Sequence, residues 1–109
     1  MYYKKVRRYP RFSVSTWALI TKKDGEQIKQ LNTRVVTISL GGMGVYTDVS
    51  LKKATPVTVE LLSYTSDGLT KTDTFEGKIA SICSQERDYF VGISFDREIS
   101  HERFLEILG

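Results

Sequence analysis

This chain has few of the residues that do covalent and metal chemistry. Its 109 residues include one cysteine, Cys83, and one histidine, His101. A lone cysteine excludes an internal disulfide and a cysteine-rich zinc cluster. A lone histidine excludes multi-histidine metal sites. Such sparse cysteine fits a reducing, cytoplasmic setting. No apolar run approaches the ~18 residues that span a bilayer. The basic start, Met1-Tyr2-Tyr3-Lys4-Lys5, is followed by no apolar stretch of the signal-peptide kind. Neither a G-x-S-x-G elbow nor a Walker phosphate loop is present. The Gly41-Gly42-Met43-Gly44 run lacks the lysine and the following helix of a nucleotide loop. Cys83, within Ile82-Cys83-Ser84, reads as a small buried apolar residue. His101 reads as helix surface, and Asp96 and Glu98 as solvated groups near a strand end. No nucleophile has an evident base, so the chain is not expected to be an enzyme.

Acid is missing from one end only. Residues 1–23 carry Lys4, Lys5, Arg7, Arg8, Arg11, Lys22 and Lys23 and no Asp or Glu, a local charge of +7. The remaining residues sum to −4, which gives the overall +3. A positive leader attracts anions such as phosphates. It also contains Tyr2, Tyr3, Tyr9, Pro10 and Phe12, which a tail serving only solubility does not need.

What remains is an ordinary folded domain in composition, 40% hydrophobic and 27% charged, of a length that makes one domain. After an irregular arm over 1–11, β-prone segments alternate with turn signals. A first strand starts at Phe12 and runs to the Asp24-Gly25 turn. A second covers about 27–39, with Val35-Val36-Thr37-Ile38 at its centre. Gly41 to Gly44 breaks it, and Val45-Tyr46-Thr47 resumes briefly. Pro56 opens a further strand to Tyr64, before a Ser66-Asp67-Gly68 turn. Strands at about 72–84 and 89–96 follow. Ser100 is placed to cap a helix over 100–108, with Glu102 at its positive end and Phe104, Leu105 and Leu108 on one apolar face. This spacing suits an all-β barrel or sandwich closed by one short helix.

Two features carry binding chemistry. Arg7-Arg8-Tyr9-Pro10-Arg11 sets two guanidinium forks four residues apart; each fork binds phosphate in bidentate fashion or reads guanine O6 and N7. Arg8 and Tyr9 add planar surfaces for stacking on a base. Thr37-Ile38-Ser39-Leu40-Gly41-Gly42 sets two hydroxyls on one side of a strand end, beside glycines that let a ligand approach the backbone.

In this order, the two features resemble the PilZ family, whose pattern is R-x-x-x-R followed by (D/N)-x-S-x-x-G. The matching positions are Arg7 and Arg11, then Thr37, Ser39 and Gly42. Phe75-Glu76-Gly77-Lys78-Ile79-Ala80 and Tyr89-Phe90-Val91-Gly92-Ile93-Ser94-Phe95 look like the family's later hairpin. The resemblance implies a six-stranded antiparallel β-barrel over 12–96 with a C-terminal helix and a flexible arginine arm, a single domain over 1–109. It implies cyclic di-GMP as ligand and no cofactor or metal. Arg7 and Arg11 would grip phosphate and guanine, Thr37 and Ser39 a guanine edge, and Gly41 and Gly42 would form the turn. Ordering of the arm would then present a surface to a protein partner. Two positions depart from the pattern. Thr37 replaces the acid or amide, a change on the order of 1–2 kcal/mol, or about 5–30-fold in affinity. Ser81 stands where some members carry a stacking aromatic. A PilZ-like module without ligand and a small nucleic-acid-binding barrel are the alternatives; the second would use Trp17, Tyr46 and Tyr64 as platforms.

Overall fold

The computed structural model describes residues 9–24, 27–64, 68 and 70–108. They form six strands and a terminal helix: β1 (Phe12–Asp24), β2 (Gln27–Ser39), β3 (Gly42–Thr47), β4 (Pro56–Tyr64), β5 (Thr70–Ser84), β6 (Tyr89–Phe95) and α1 (His101–Leu108). All pairings are antiparallel, and the sheet closes in the order β1-β2-β3-β6-β5-β4. The expected barrel and helix are therefore present. Closure gives every strand a hydrogen-bonded neighbour on both sides over part of its length.

Strand alternation fills the interior. Ala18 and Ile20 of β1, Val35 and Ile38 of β2, Val45 of β3, Val59 and Leu61 of β4, Ile79 of β5 and Val91 of β6 all point inward and are buried. Thr33 is buried among them without cost, because its hydroxyl donates to the Ala18 carbonyl at 3.0 Å. No helix of the described residues is long and apolar enough to cross a membrane.

Three bulges change which side chains face inward. The register shifts between Ser13 and Thr16, between Val35 and Thr37, and between Ile79 and Ser81. An extra residue reverses the alternation beyond it. On β2, Val35 and Ile38 both point inward, so Thr37 faces out. On β5, Ile79 points inward and Ile82 packs against the core, so Ser81 and Cys83 face out. Cys83 is accordingly exposed, which corrects the expectation that it is buried. The glycine run also behaves differently from its expected role as a break. Only Leu40 and Gly41 form the turn, and Gly42-Met43-Gly44 already belongs to β3.

The outer wall of β2, β3, β6 and β5 is nearly bare. One cross-strand row reads Ser39, Gly42, Ser94, Lys78, and the next Thr37, Gly44, Gly92, Ser81. At Gly42 a Cβ would collide with the Ile93 carbonyl of the neighbouring strand. That obstacle is backbone and cannot swing aside. Toward the other end of the wall the rows become aromatic. Arg34 lies over the Tyr46 ring at 5.3 Å, and Tyr46 packs on Phe90 with centroids 5.2 Å apart. Trp17 pairs with Arg34 across β1 and β2 and is 56% exposed.

Helix α1 caps the barrel. The Arg103 N–H donates to the Ser100 hydroxyl at 3.2 Å, the expected N-cap. Phe104 is buried and meets the Phe12 ring edge-on at 5.6 Å. Ile107 and Leu108 pack against the core, but Leu105 is 68% exposed. One residue turns the helix by about 100°, which carries Leu105 off the face that Phe104 and Leu108 share, contrary to the expected stripe. Arg103 grips Asp73 of β5 through two nitrogens, its Nε donating to Oδ1 at 2.6 Å. The hydrogen bond to Asp73 raises the guanidinium pKa above its ordinary value, so Arg103 stays charged. Both side chains are mostly covered, at 17% and 15% exposure.

Two predictions follow from these contacts. Asp73→Asn removes the bidentate partner of Arg103, leaves only the more exposed Glu106 at 3.4 Å as its counter-charge, and costs about 1–2 kcal/mol, read as a lower midpoint in urea denaturation. Gly42→Ala forces β3 away from β6 and costs about 1–3 kcal/mol by the same measurement.

Candidate functional site

A cleft of about 710 Å³ opens on the bare wall, within the range of about 300–1,000 Å³ usual for small-ligand sites. Its floor is made by Gly42, Gly92 and Ser94, with Ser39, Thr37 and Ser81 at the sides. Because the floor residues have little or no side chain, a flat ligand could approach peptide planes and main-chain polar groups directly. The ends of the cleft are held by main-chain hydrogen bonds. Phe95 N–H donates to the Gly41 carbonyl at 2.9 Å, and Ile99 N–H to the Leu40 carbonyl at 2.9 Å. These bonds fix the β2–β3 turn against the β6–α1 connection, so the rim is rigid on that side.

The rim has two charged lips. One is formed by Tyr9 and Arg11 of the N-terminal arm. The Tyr9 ring packs directly on Gly41; a Cβ there would lie 2.8 Å from the ring. That contact seats the root of the arm on the turn and brings Arg11 to the cleft, where it is exposed. The other lip is Asp96, Arg97 and Glu98 of the β6–α1 connection, all exposed.

The structure brings Arg11, Thr37, Ser39, Gly41 and Gly42 of the expected site together around one cleft. Arg7 and Arg8 lie outside the described residues. Ser39 is 9% exposed; its hydroxyl accepts from the Gly41 N–H at 3.3 Å and faces the Gly42 carbonyl at 3.4 Å. It thus braces the turn from within. Thr37 lines the cleft, but its Oγ1 is buried and has no hydrogen-bond partner among the described residues. It is turned toward Gly44, where a Cβ would lie 2.6 Å from both Thr37 Oγ1 and Phe90 Cζ. The Phe90 ring and the Thr37 hydroxyl therefore crowd the same glycine.

Sequence reasoning did not assign Gly92, Ser94, Ala80 or Arg97 to the site. A signal for the first two exists: small residues recur at every second position of β3 (Gly42, Gly44) and of β6 (Gly92, Ser94), the outward faces of paired strands. Ala80 enters through the β5 bulge, which no periodicity announces. Among the described residues, no group of three or more His, Cys, Asp and Glu side chains is placed to hold a metal ion. His101 and Cys83 are exposed and do not line the cleft.

Comparisons with known proteins bear on this geometry. A comparison with curated proteins gave no match. Among solved structures, the chain is similar to the Bacillus subtilis inhibitor of motility MotI/DgrA, with a TM-score of 0.73 and 13% identity over 96% of this chain and 49% of that one. It thus spans about half the length of that protein. It is also similar to the PilZ domain of Escherichia coli YcgR with c-di-GMP, with a TM-score of 0.64 and 19% identity over 94% of this chain and 86% of that one. A longer E. coli YcgR structure in complex with c-di-GMP gives a TM-score of 0.66 and 21% identity, covering 94% and 42% of the two chains. These likenesses establish the barrel architecture. The PilZ domain family model matches residues 5–108, almost the whole sequence, and the chain accordingly belongs to the PilZ domain family.

Proposed function

We propose that this domain is a receptor for cyclic di-GMP, and that ligand orders the arginine arm over 1–11 against the barrel over 12–96. The observation that carries the reading is the seat of the arm. Tyr9 on Gly41 holds Arg11 at the cleft, and Arg7 and Arg8 stand only four and three residues before it. A short tether from a fixed root keeps both guanidiniums within reach of one ligand. Cyclic di-GMP carries two phosphate charges, and bidentate arginine–phosphate bonds are among the strong hydrogen bonds. The E. coli YcgR structures, with the same barrel, hold this ligand.

The parts then have distinct roles. Arg7 and Arg11 neutralise the phosphates, and Arg8 adds charge and a planar face. Gly42, Gly92 and Ser94 make a floor on which the ligand lies, with Ser39, Gly41 and Thr37 at its edge. Binding closes the arm over the ligand and turns a basic leader into a neutralised, ordered surface. That change is what a protein partner would read. The domain acts by binding and does no covalent chemistry. As an intracellular messenger receptor it works in the cytoplasm.

Calorimetry tests the reading. The wild-type chain should bind cyclic di-GMP at micromolar concentration, about −8 kcal/mol. Arg11→Ala should weaken binding by about 10–100-fold while the melting temperature stays within a few degrees. Absence of heat with the folded wild type removes the proposal.

A further inference from the structure

Strand β2 outruns its neighbour β3. It pairs with β1 from Gln27 opposite Asp24 to Ile38 opposite Phe12, but with β3 only from Arg34 to Ser39. β3 stops at Thr47, whose hydroxyl donates to the Val49 carbonyl at 2.6 Å, and the chain leaves the sheet there. Residues 27–33 of β2 thus have β1 on one side and no described strand on the other. β5 likewise outruns β6 before Gly77, but there Arg103 of α1 grips Asp73.

Opposite residues of an antiparallel ladder alternate between pairs that bond each other and pairs that do not. Counted from the Asp24–Gln27 pair that closes the hairpin, Lys29, Leu31 and Thr33 bond to β1. Ile28, Gln30 and Asn32 then turn their N–H and C=O groups to the open side. Among the described residues, no loop or turn sends a main-chain hydrogen bond to them. Such an edge is a template for an added strand, and proline, bulges or several lysines are the usual protection. This stretch has no proline and a single lysine, and its register against β1 is regular.

The side chains define the strand that fits. Thr33 is buried and Leu31 packs against the core, so one face of an added strand meets apolar neighbours. Further along the same face, Lys29 lies directly opposite Lys22 on β1. Like charges placed so are destabilising, and an acid beside Lys29 relieves them. From Leu19 to Arg34 the hairpin carries Lys22, Lys23, Lys29 and Arg34 against Asp24 and Glu26. That excess repels the same hairpin of a second copy, and the chain's own basic leader, and attracts acid. Asp48 is exposed where β3 turns off, which places the attraction at the Lys29 end.

We propose that the open edge of β2 takes an extended acidic segment of a partner protein as an added strand. Main-chain bonds to Ile28, Gln30 and Asn32 supply affinity, and Lys29 and Leu31 select the sequence. The inference stands apart from the cyclic di-GMP reading, because the cleft is lined by Thr37 and Ser39 at the other end of β2.

The experiment titrates the intact isotope-labelled chain with the capped peptide Val-Thr-Val-Thr-Glu-Thr-Glu. Run antiparallel to β2, its valines fall opposite Thr33 and Leu31 and its glutamates opposite Lys29 and Gln27. Amide shifts at residues 27–33, saturating at roughly millimolar peptide, with slowed hydrogen exchange at the Gln30 and Asn32 amides, are the expected result. The same peptide with lysine for glutamate should bind about tenfold more weakly, and Lys29→Glu in the chain should reduce that preference. Gln30→Pro removes an open-side donor, leaves the bonds to β1 in place and should abolish the shifts. If that variant does not fold, Lys29→Glu decides. Silence at residues 27–33, equal affinity for the lysine peptide, or unchanged binding in folded Gln30→Pro overturns the inference. Slow exchange at Gln30 and Asn32 in the free chain also overturns it, since the edge would already be covered by the chain itself or by a second copy.

Discussion

The site depends on a single cross-strand pair, Gly44 of β3 opposite Gly92 of β6, flanked on each side by a bulge. Without side chains at these positions the wall is bare backbone. The bulges then aim Thr37 from β2 and Ser81 from β5 toward that bare strip. A regular strand would have turned both residues inward, given that Val35 and Ile79 point into the core. The crowding at Gly44 and Gly92 shows how tightly this is fitted. A Cβ at Gly92 would lie 2.5 Å from the Ser81 hydroxyl, and one at Gly44 equally close to Thr37 and Phe90. The bare strip that lines the cleft is thus made by packing constraints on the barrel wall.

The rest of the barrel keeps that wall in place. The core is a continuous set of mostly aliphatic side chains with Phe95 and Phe104, and burial of each of the larger ones contributes about 1.5–3 kcal/mol relative to exposure. The Arg103–Asp73 pair and the Phe104–Phe12 contact fix α1 at one end of the barrel. Main-chain bonds from Phe95 and Ile99 fix the β2–β3 turn at the cleft. The proposed function needs such a fixed floor and rim, because a bound anion would then act on the arm and leave the scaffold unchanged.

Much of the barrel was legible in the sequence because alternation is a local signal. The β2 limits, Pro56 at the start of β4, and Ser100 before α1 each follow from neighbouring residues alone. The errors have one main physical source. Cys83 was assigned inward because a bulge adds a residue without changing composition, and parity cannot be read across it. Leu105 was placed on the buried face because adjacent apolar residues on a short helix look equivalent until a partner surface is known. Gly42 and Gly44 looked like breakers, although glycine also serves in a strand where another backbone or a ligand comes close. Of the candidate site, Arg11 and the Thr37–Gly42 run meet at one cleft, while Arg7 and Arg8 lie outside the described residues. The burial of the Thr37 hydroxyl depends on Phe90, far along the chain, and no local pattern could reveal it.

The central claim is that ligand lies on the outer wall of β2, β3, β6 and β5 beneath the arginine arm. Amide chemical-shift mapping of the labelled chain during a cyclic di-GMP titration tests it most directly. The account predicts that perturbations cluster at residues 9–11, 37–44, 80–81 and 92–98, while the β1–β4 wall around Ala18, Ile20, Val59 and Leu61 stays still. Perturbations centred on that opposite wall, or none at saturating ligand, would contradict it.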